Sequence, residues 1–121
     1  MSIHFMHGVN LRLLTPQSVL AMTVASECFA EAGEDCLVTS VCRSGAFLEV
    51  GYHGSGNAID VAVRRVDGSQ MDEALVTGVI RRIRTRIGRE GGGQYDVVDE
   101  RKPASSPGWT GSHIHIEFDP K

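Results

Sequence analysis

An aspartate stands in the middle of an otherwise apolar segment, and this feature constrains the fold more than any other in the chain. Residues 58–63 read AIDVAV, which is typical of a central strand, and Asp60 lies within it. Burying a carboxylate is unfavourable unless a partner compensates its charge. The segment therefore predicts either a metal ion bound to Asp60 or, as the simpler alternative, a salt bridge from Asp60 to an arginine.

Histidines supply the other ligands that a metal at Asp60 would need. His53 lies shortly before Asp60 in a glycine-rich loop, and residues 112–118 read SHIHIEF. Alternate residues of a strand point to the same face, so His113 and His115 project together. Two histidines and an aspartate are a ligand set that zinc accepts, and a site with three protein ligands leaves a position for water. We predict that His53, Asp60 and His115 bind one Zn²⁺.

A zinc site with an open position favours hydrolytic chemistry. Zinc lowers the pKa of a bound water to about 7, which makes a hydroxide nucleophile accessible at neutral pH. Such a nucleophile suits the hydrolysis of an amide or an ester. The ligand pattern therefore predicts a catalytic zinc site rather than a structural one.

The remaining patterns predict a small α+β domain. Thr15 and Pro16 mark the start of a helix that ends at Gly33, and Ser69 marks the start of a second helix that ends at Gly88. Strands are predicted at residues 37–41, 58–63, 95–98 and 112–118, with a short edge strand within residues 1–14. This order predicts two helices on one face of a mostly antiparallel sheet, with the last strand antiparallel to residues 95–98.

Length and charge narrow the class of protein. The chain has 121 residues, which predicts a single domain over residues 1–121, and a net charge of −3 with both signs mixed. Five arginines fall in the second predicted helix: Arg81, Arg82, Arg84, Arg86 and Arg89. Their spacing favours the solvated side of a helix over a nucleic-acid surface. No nucleic-acid partner is therefore expected.

Cysteine usage and hydropathy bear on the cellular compartment. The three cysteines have no CxxC spacing, which favours a reducing cytosol, although Cys36 and Cys42 flank one short strand and a bridge between them stays open. No signal peptide is visible and no apolar stretch approaches the ~20 residues that span a bilayer. We expect cytoplasmic synthesis and no membrane insertion.

Two motifs together resemble those of a known group of zinc peptidases. H-x-x-G-x-A-x-D spans residues 53–60, and H-x-H spans residues 113–115. The combination resembles the zinc D-alanyl-D-alanine carboxypeptidase group, which also contains phage L-alanyl-D-glutamate endolysins and the signalling domain of hedgehog proteins. The likeness extends over most of the chain, and the ending HIHIEFDP is similar to that of small phage and prophage members.

The resemblance implies a fold, a reaction and a set of roles. It implies a hedgehog and peptidase-like fold and the hydrolysis of a peptidoglycan stem peptide at a bond involving a D-amino acid. It implies that His53, Asp60 and His115 are the zinc ligands. It further implies that His113 stabilises the transition state or assists proton transfer, and that Arg43 binds the scissile carbonyl or a substrate carboxylate. Such an enzyme would act at the cell wall after release, or as part of a virion.

The general base departs from the pattern of the group. Its peptidases carry a Glu shortly before the last zinc histidine, whereas residues 109–112 here read WTGS. Glu100, or else Asp99, ends the preceding strand and can reach the zinc water if the two strands pair. Glu117 shares a face with His113 but lies about 13 Å along the strand from it, so a surface or salt-bridging role is expected. The alternative is a zinc-binding but non-catalytic phage structural or interaction module.

Overall fold

The computed structural model describes residues 2–42, 57–101 and 112–119. Within these residues the chain forms five strands, two α-helices and one short 3₁₀ helix at Leu11–Leu13. The strands are β1 (Ile3–Phe5), β2 (Cys36–Cys42), β3 (Asn57–Ala62), β4 (Tyr95–Glu100) and β5 (His113–Phe118), and the helices are α1 (Pro16–Glu31) and α2 (Glu73–Glu90).

The strands form one sheet in the order β1-β2-β3-β5-β4. β1 pairs with β2 in parallel, and the other neighbours are antiparallel. The predicted α+β class is therefore confirmed, as is the antiparallel pairing of the last strand with β4. A short edge strand is present within residues 1–14, as β1. The alternation of Val9, Leu11 and Leu13 that predicted it was misleading, because Leu11–Leu13 form the 3₁₀ helix rather than a strand.

Local chemistry determines both ends of α1. The Thr15 hydroxyl accepts a hydrogen bond from the Ser18 backbone N–H at 3.1 Å, and the Ser18 hydroxyl accepts one from the Thr15 N–H at 2.8 Å. This reciprocal pair satisfies two N–H groups that the helix leaves without partners. After the helix, Gly33 has a φ of +78°, the left-handed conformation that glycine adopts without steric cost. Both predicted boundaries are confirmed.

The predicted boundaries of α2 were wrong. Asp72 is the N-cap, and its carboxylate accepts hydrogen bonds from two backbone N–H groups of the first turn at 3.1 and 3.2 Å. Ser69 instead belongs to the preceding turn, where its N–H and hydroxyl both donate to Asp67. At the other end the helix continues through Gly88, and Gly91 is the C-cap.

Both helices cover one face of the sheet. α1 packs against β2, β3 and β5, and α2 packs against α1 and β4. The apolar residues of the two central strands that point to this side are fully buried: Ile59, Val61, Ile114 and Ile116. Burying a side chain of this size contributes about 1.5 to 3 kcal/mol. Because side chains alternate along a strand, this packing directs Asp60, His113 and His115 to the opposite face of the sheet.

The thiols that the structure describes are buried and free. Cys28 and Cys36 form no disulfide, so the bridge from Cys36 to Cys42 that the spacing left open is not formed. Burial raises the pKa of Cys36 to about 12 and is also the main cause of the raised pKa of Cys28. Neither of the two helices of the described ranges is long and apolar enough to cross a membrane.

Candidate metal centre

The pairing of β3 with β5 brings Asp60 directly opposite His115. The Nδ1 atom of His115 lies 2.8 Å from Oδ1 of Asp60, and the two side chains are only 12% and 15% exposed. Among the residues that the structure describes, the side-chain partners of Asp60 are therefore histidines and not the arginine of the simpler alternative. A histidine thus compensates the negative charge of Asp60, the residue for which the sequence predicted a partner.

His115 lies between two carboxylates. Its Nε2 atom is 3.2 Å from Oε1 of Glu117, while Nδ1 contacts Asp60. Burial lowers the pKa of His115, but the hydrogen bond and negative charge of Asp60, aided by Glu117, outweigh burial and raise this pKa to about 8. In the metal-free protein the protonated ring can thus donate to both carboxylates.

His113 occupies the next position on the same face, beside Glu100. The β4–β5 register places Glu100 opposite His113, with Nε2 of His113 3.0 Å from Oε1 of Glu100. The same Nε2 atom lies 3.7 Å from Oδ1 of Asp60. Asp60, His115, His113 and Glu100 therefore form one continuous cluster across three neighbouring strands.

Strand alternation distinguishes the two residues considered for the general base. Asp99 points to the helical side of the sheet, where it accepts hydrogen bonds from Arg101 at 2.7 and 2.9 Å. Arg101 also donates to the Glu73 carbonyl of α2, and its hydrogen bonds hold the pKa of Asp99 below its usual value. Of the two carboxylates, Glu100 is the one beside His113.

Glu117 is not a surface residue, so that part of the prediction was wrong. It is 4% exposed and contacts His115, which agrees with the salt-bridging alternative. The prediction considered only the distance from Glu117 to His113. His115 is two residues from Glu117, which is about 7 Å along an extended strand. The HIHIE alternation already places Glu117 and His115 on one face, and this signal could have identified the contact.

The cluster has the donor chemistry of a zinc site. Two ligands of a tetrahedral zinc lie about 3.3 Å apart. The distances from Asp60 Oδ1 to the ring nitrogens, 2.8 Å for His115 and 3.7 Å for His113, lie on either side of that value. Among the described residues, donor atoms of Asp60, Glu100 and His113 lie within 4.8 Å of one another. The described cluster therefore contains nitrogen and oxygen donors of the types that zinc accepts.

Two of the predicted site residues lie outside the described part of the chain. These are His53, the third predicted ligand, and Arg43, the predicted carbonyl-binding residue. The structure brings together the other four predicted site residues: Asp60, Glu100, His113 and His115.

The arrangement combines a candidate metal-binding pair with a carboxylate and an imidazole able to exchange protons. Comparison with known proteins found no matching family model, no matching curated protein and no matching solved structure. The peptidase resemblance thus remains a prediction that depends on the two motifs.

Proposed function

We propose that the protein is a zinc-dependent peptidase, encoded by a phage or prophage, that hydrolyses peptidoglycan stem peptides at a bond involving a D-amino acid. The observation that supports this most directly is the 2.8 Å contact between Asp60 and His115, with the His113–Glu100 pair beside it. Asp60 comes from one half of the peptidase-like motif and both histidines come from the other, whereas Glu100 lies outside the motif. The substrate class follows from the resemblance of that motif.

Asp60 and His115 would hold the zinc ion, with His53 as the third ligand suggested by the motif. A zinc ion there supplies a Lewis acid that lowers the pKa of a bound water. Metal binding at Nδ1 of His115 would leave the Nε2–H group donating to Glu117. Carboxylates that accept from the free N–H of a ligating histidine orient the ring and raise its basicity.

Glu100 is the residue proposed to move the proton. Its side chain is 42% exposed, so it can exchange protons with solvent, and it lies 3.0 Å from His113. As a carboxylate it can accept a proton from the attacking water and deliver it to the leaving amine. His113 lies between Glu100 and Asp60, where its ring N–H can stabilise negative charge that develops on the substrate carbonyl oxygen. Arg43 is proposed to bind the carbonyl or a substrate carboxylate.

The test compares two neighbouring carboxylates on opposite faces of β4. Glu100→Gln keeps the shape of the side chain but cannot accept a proton, so hydrolysis should fall by about 10² to 10⁴ while zinc content stays near one per chain. Asp99→Asn is the matched control and should retain hydrolysis within about threefold, because Asp99 faces the helices. Mass spectrometry of digested peptidoglycan and elemental analysis provide the two measurements. Zinc-loaded wild-type protein that leaves several stem-peptide types intact would refute the proposal.

A non-catalytic zinc module is the second candidate, and one observation favours it. One possible ligand atom from each of Glu100, Asp60 and His113 lies within 4.8 Å of the other two, so Glu100 could itself bind the metal. A Glu100 that ligates the metal would no longer serve as a base. In that case Glu100→Gln would lower the zinc content itself, and wild-type protein would show no hydrolysis.

A further inference from the structure

A second group of carboxylates lies toward the other end of β5. Asp96 of β4 pairs with Glu117 of β5, and Asp119 follows directly after that strand. The backbone N–H of Asp119 donates to the Gln94 carbonyl at 2.7 Å, which keeps the end of β5 beside the start of β4. One carboxylate oxygen from each of Asp96, Glu117 and Asp119 lies within 4.8 Å of the other two.

Glu117 provides an independent indication that this group has a ligand. Its side chain is 5% exposed, and Oε1 accepts the hydrogen bond from His115. The second oxygen, Oε2, is buried and accepts no hydrogen bond from any residue of the described ranges. A buried acceptor of a charged group that lacks a donor is strongly unfavourable, and native proteins rarely leave one so. A cation bound among the three carboxylates would supply the missing partner.

We infer that Asp96, Glu117 and Asp119 bind a hard divalent cation, with calcium preferred over magnesium. The donors are all carboxylate oxygens, which hard cations prefer, whereas zinc favours nitrogen and sulfur. Calcium takes oxygens at about 2.3 to 2.6 Å, so its ligands can lie up to about 5 Å apart. Magnesium keeps several of its waters and usually takes only one or two carboxylates, so three protein carboxylates favour calcium. All three donor oxygens lie within 4.8 Å of one another, a separation that calcium can span.

Glu117 connects this site to the candidate zinc centre. Its Oε1 atom contacts His115, and the same carboxylate contributes an oxygen to the group with Asp96 and Asp119, so a bound calcium would restrain the carboxylate that orients His115. Calcium and zinc should therefore bind with positive coupling, and by linkage each raises the affinity for the other by the same factor. The calcium site itself does not depend on zinc or on the proposed hydrolysis.

The test is calorimetric titration of calcium into the full chain, with and without zinc. Wild-type protein should bind one calcium per chain with a Kd below about 1 mM, the weak end of known calcium sites. Asp96→Asn and Asp119→Asn each remove a charged ligand and should weaken calcium binding at least about tenfold, while the zinc content stays unchanged. Asp99→Asn is the matched control, because it lies on the same strand but faces the helices. Magnesium should bind more weakly than calcium.

Thermal unfolding separates loss of a ligand from loss of the fold. The two aspartates are partly exposed, so without calcium their variants should unfold near the wild-type temperature. They should lose only the rise in unfolding temperature that calcium produces in the wild type. Absence of binding at about 1 mM calcium, or an unchanged affinity in the Asp96→Asn, Asp119→Asn double variant, overturns the inference. Calcium binding at these residues in a protein that takes up no zinc would support this site and refute the proposed peptidase.

Discussion

His115 is held at both ring nitrogens, by Asp60 on one side and by Glu117 on the other. The two contacts differ in chemistry, because Asp60 is itself a candidate zinc ligand, whereas Glu117 influences the zinc centre only through His115. A carboxylate in that second position fixes which nitrogen keeps its proton. The orientation of His115 thus depends on a residue that was expected to have only a surface or salt-bridging role.

Replacing Glu117 with Gln should therefore weaken zinc binding without removing a zinc ligand. The amide keeps the size of the side chain but loses the charge that supports His115, and such changes typically lower metal affinity by about 10- to 100-fold. Competition with a chelator measures the affinity. Glu90→Gln, at an exposed position at the end of α2, is the control. Equal zinc affinity in wild type and Glu117→Gln would contradict this role.

Asp99 makes a separate and pH-dependent contribution. Because Arg101 holds its pKa below the usual value, the contact stabilises the folded state above the unfolded-state pKa near 3.8 and is lost as pH falls through the lowered value. Partial exposure limits the contribution to about 0.5 to 1 kcal/mol. The free energy of unfolding of wild type minus that of Asp99→Asn should be positive at about pH 6 and approach zero as the pH falls below the lowered pKa of Asp99. A difference that stays constant over this range would exclude the ion pair as its cause.

At the scale of elements, the start of α2 shows how the preceding turn decides between two suitable N-cap residues. Ser69 and Asp72 are both good N-cap residues by type. The carbonyl of Ser69 accepts a hydrogen bond from the Arg65 N–H at 2.8 Å, and Gln70 bridges to Arg64. These contacts hold the segment extended beside the chain that follows β3, so the helix begins only at Asp72.

Asp72→Ala should consequently destabilise the protein by about 1 kcal/mol, the usual effect of losing an N-cap. Ser69→Ala removes only a local turn contact and should have an effect below about 0.5 kcal/mol. Chemical denaturation of both variants measures the difference. Asp72→Asn retains a capping oxygen, so its free energy of unfolding should lie near that of the wild type. A larger loss of stability from Ser69→Ala than from Asp72→Ala would instead indicate that Ser69 is the N-cap.

At the scale of the whole molecule, the hydrophobic core shields the thiols of Cys28 and Cys36 from solvent. Cys28 and Cys36 are almost completely buried, and the pKa of about 12 for Cys36 keeps its thiol protonated at any physiological pH. In a Cys42→Ser background, a thiol reagent at about pH 8 should react with neither cysteine until the protein unfolds. Rapid modification of the folded variant would show that the packing of α1 and β2 is looser than the structure indicates.

The sequence by itself determined what depends on neighbouring residues. The α+β class, the cap of α1 and the shared face of His113, His115 and Glu117 follow from local periodicity, turn chemistry and the pleat of a strand. A carboxylate within an apolar strand also showed that Asp60 needs a partner. These inferences hold whatever the rest of the chain does, because they involve residues close together in sequence.

Only the tertiary structure decided which residues meet. The β3–β5 and β4–β5 registers pair Asp60 with His115 and Glu100 with His113, and they turn Asp99 toward the helices. The same registers bury Glu117 beside Asp96. A shift of one residue in either pairing would send every side chain of that strand to the other face. Register is a contact between distant parts of the chain, set by packing of the isoleucine and valine core against the helices, and no local pattern contains it.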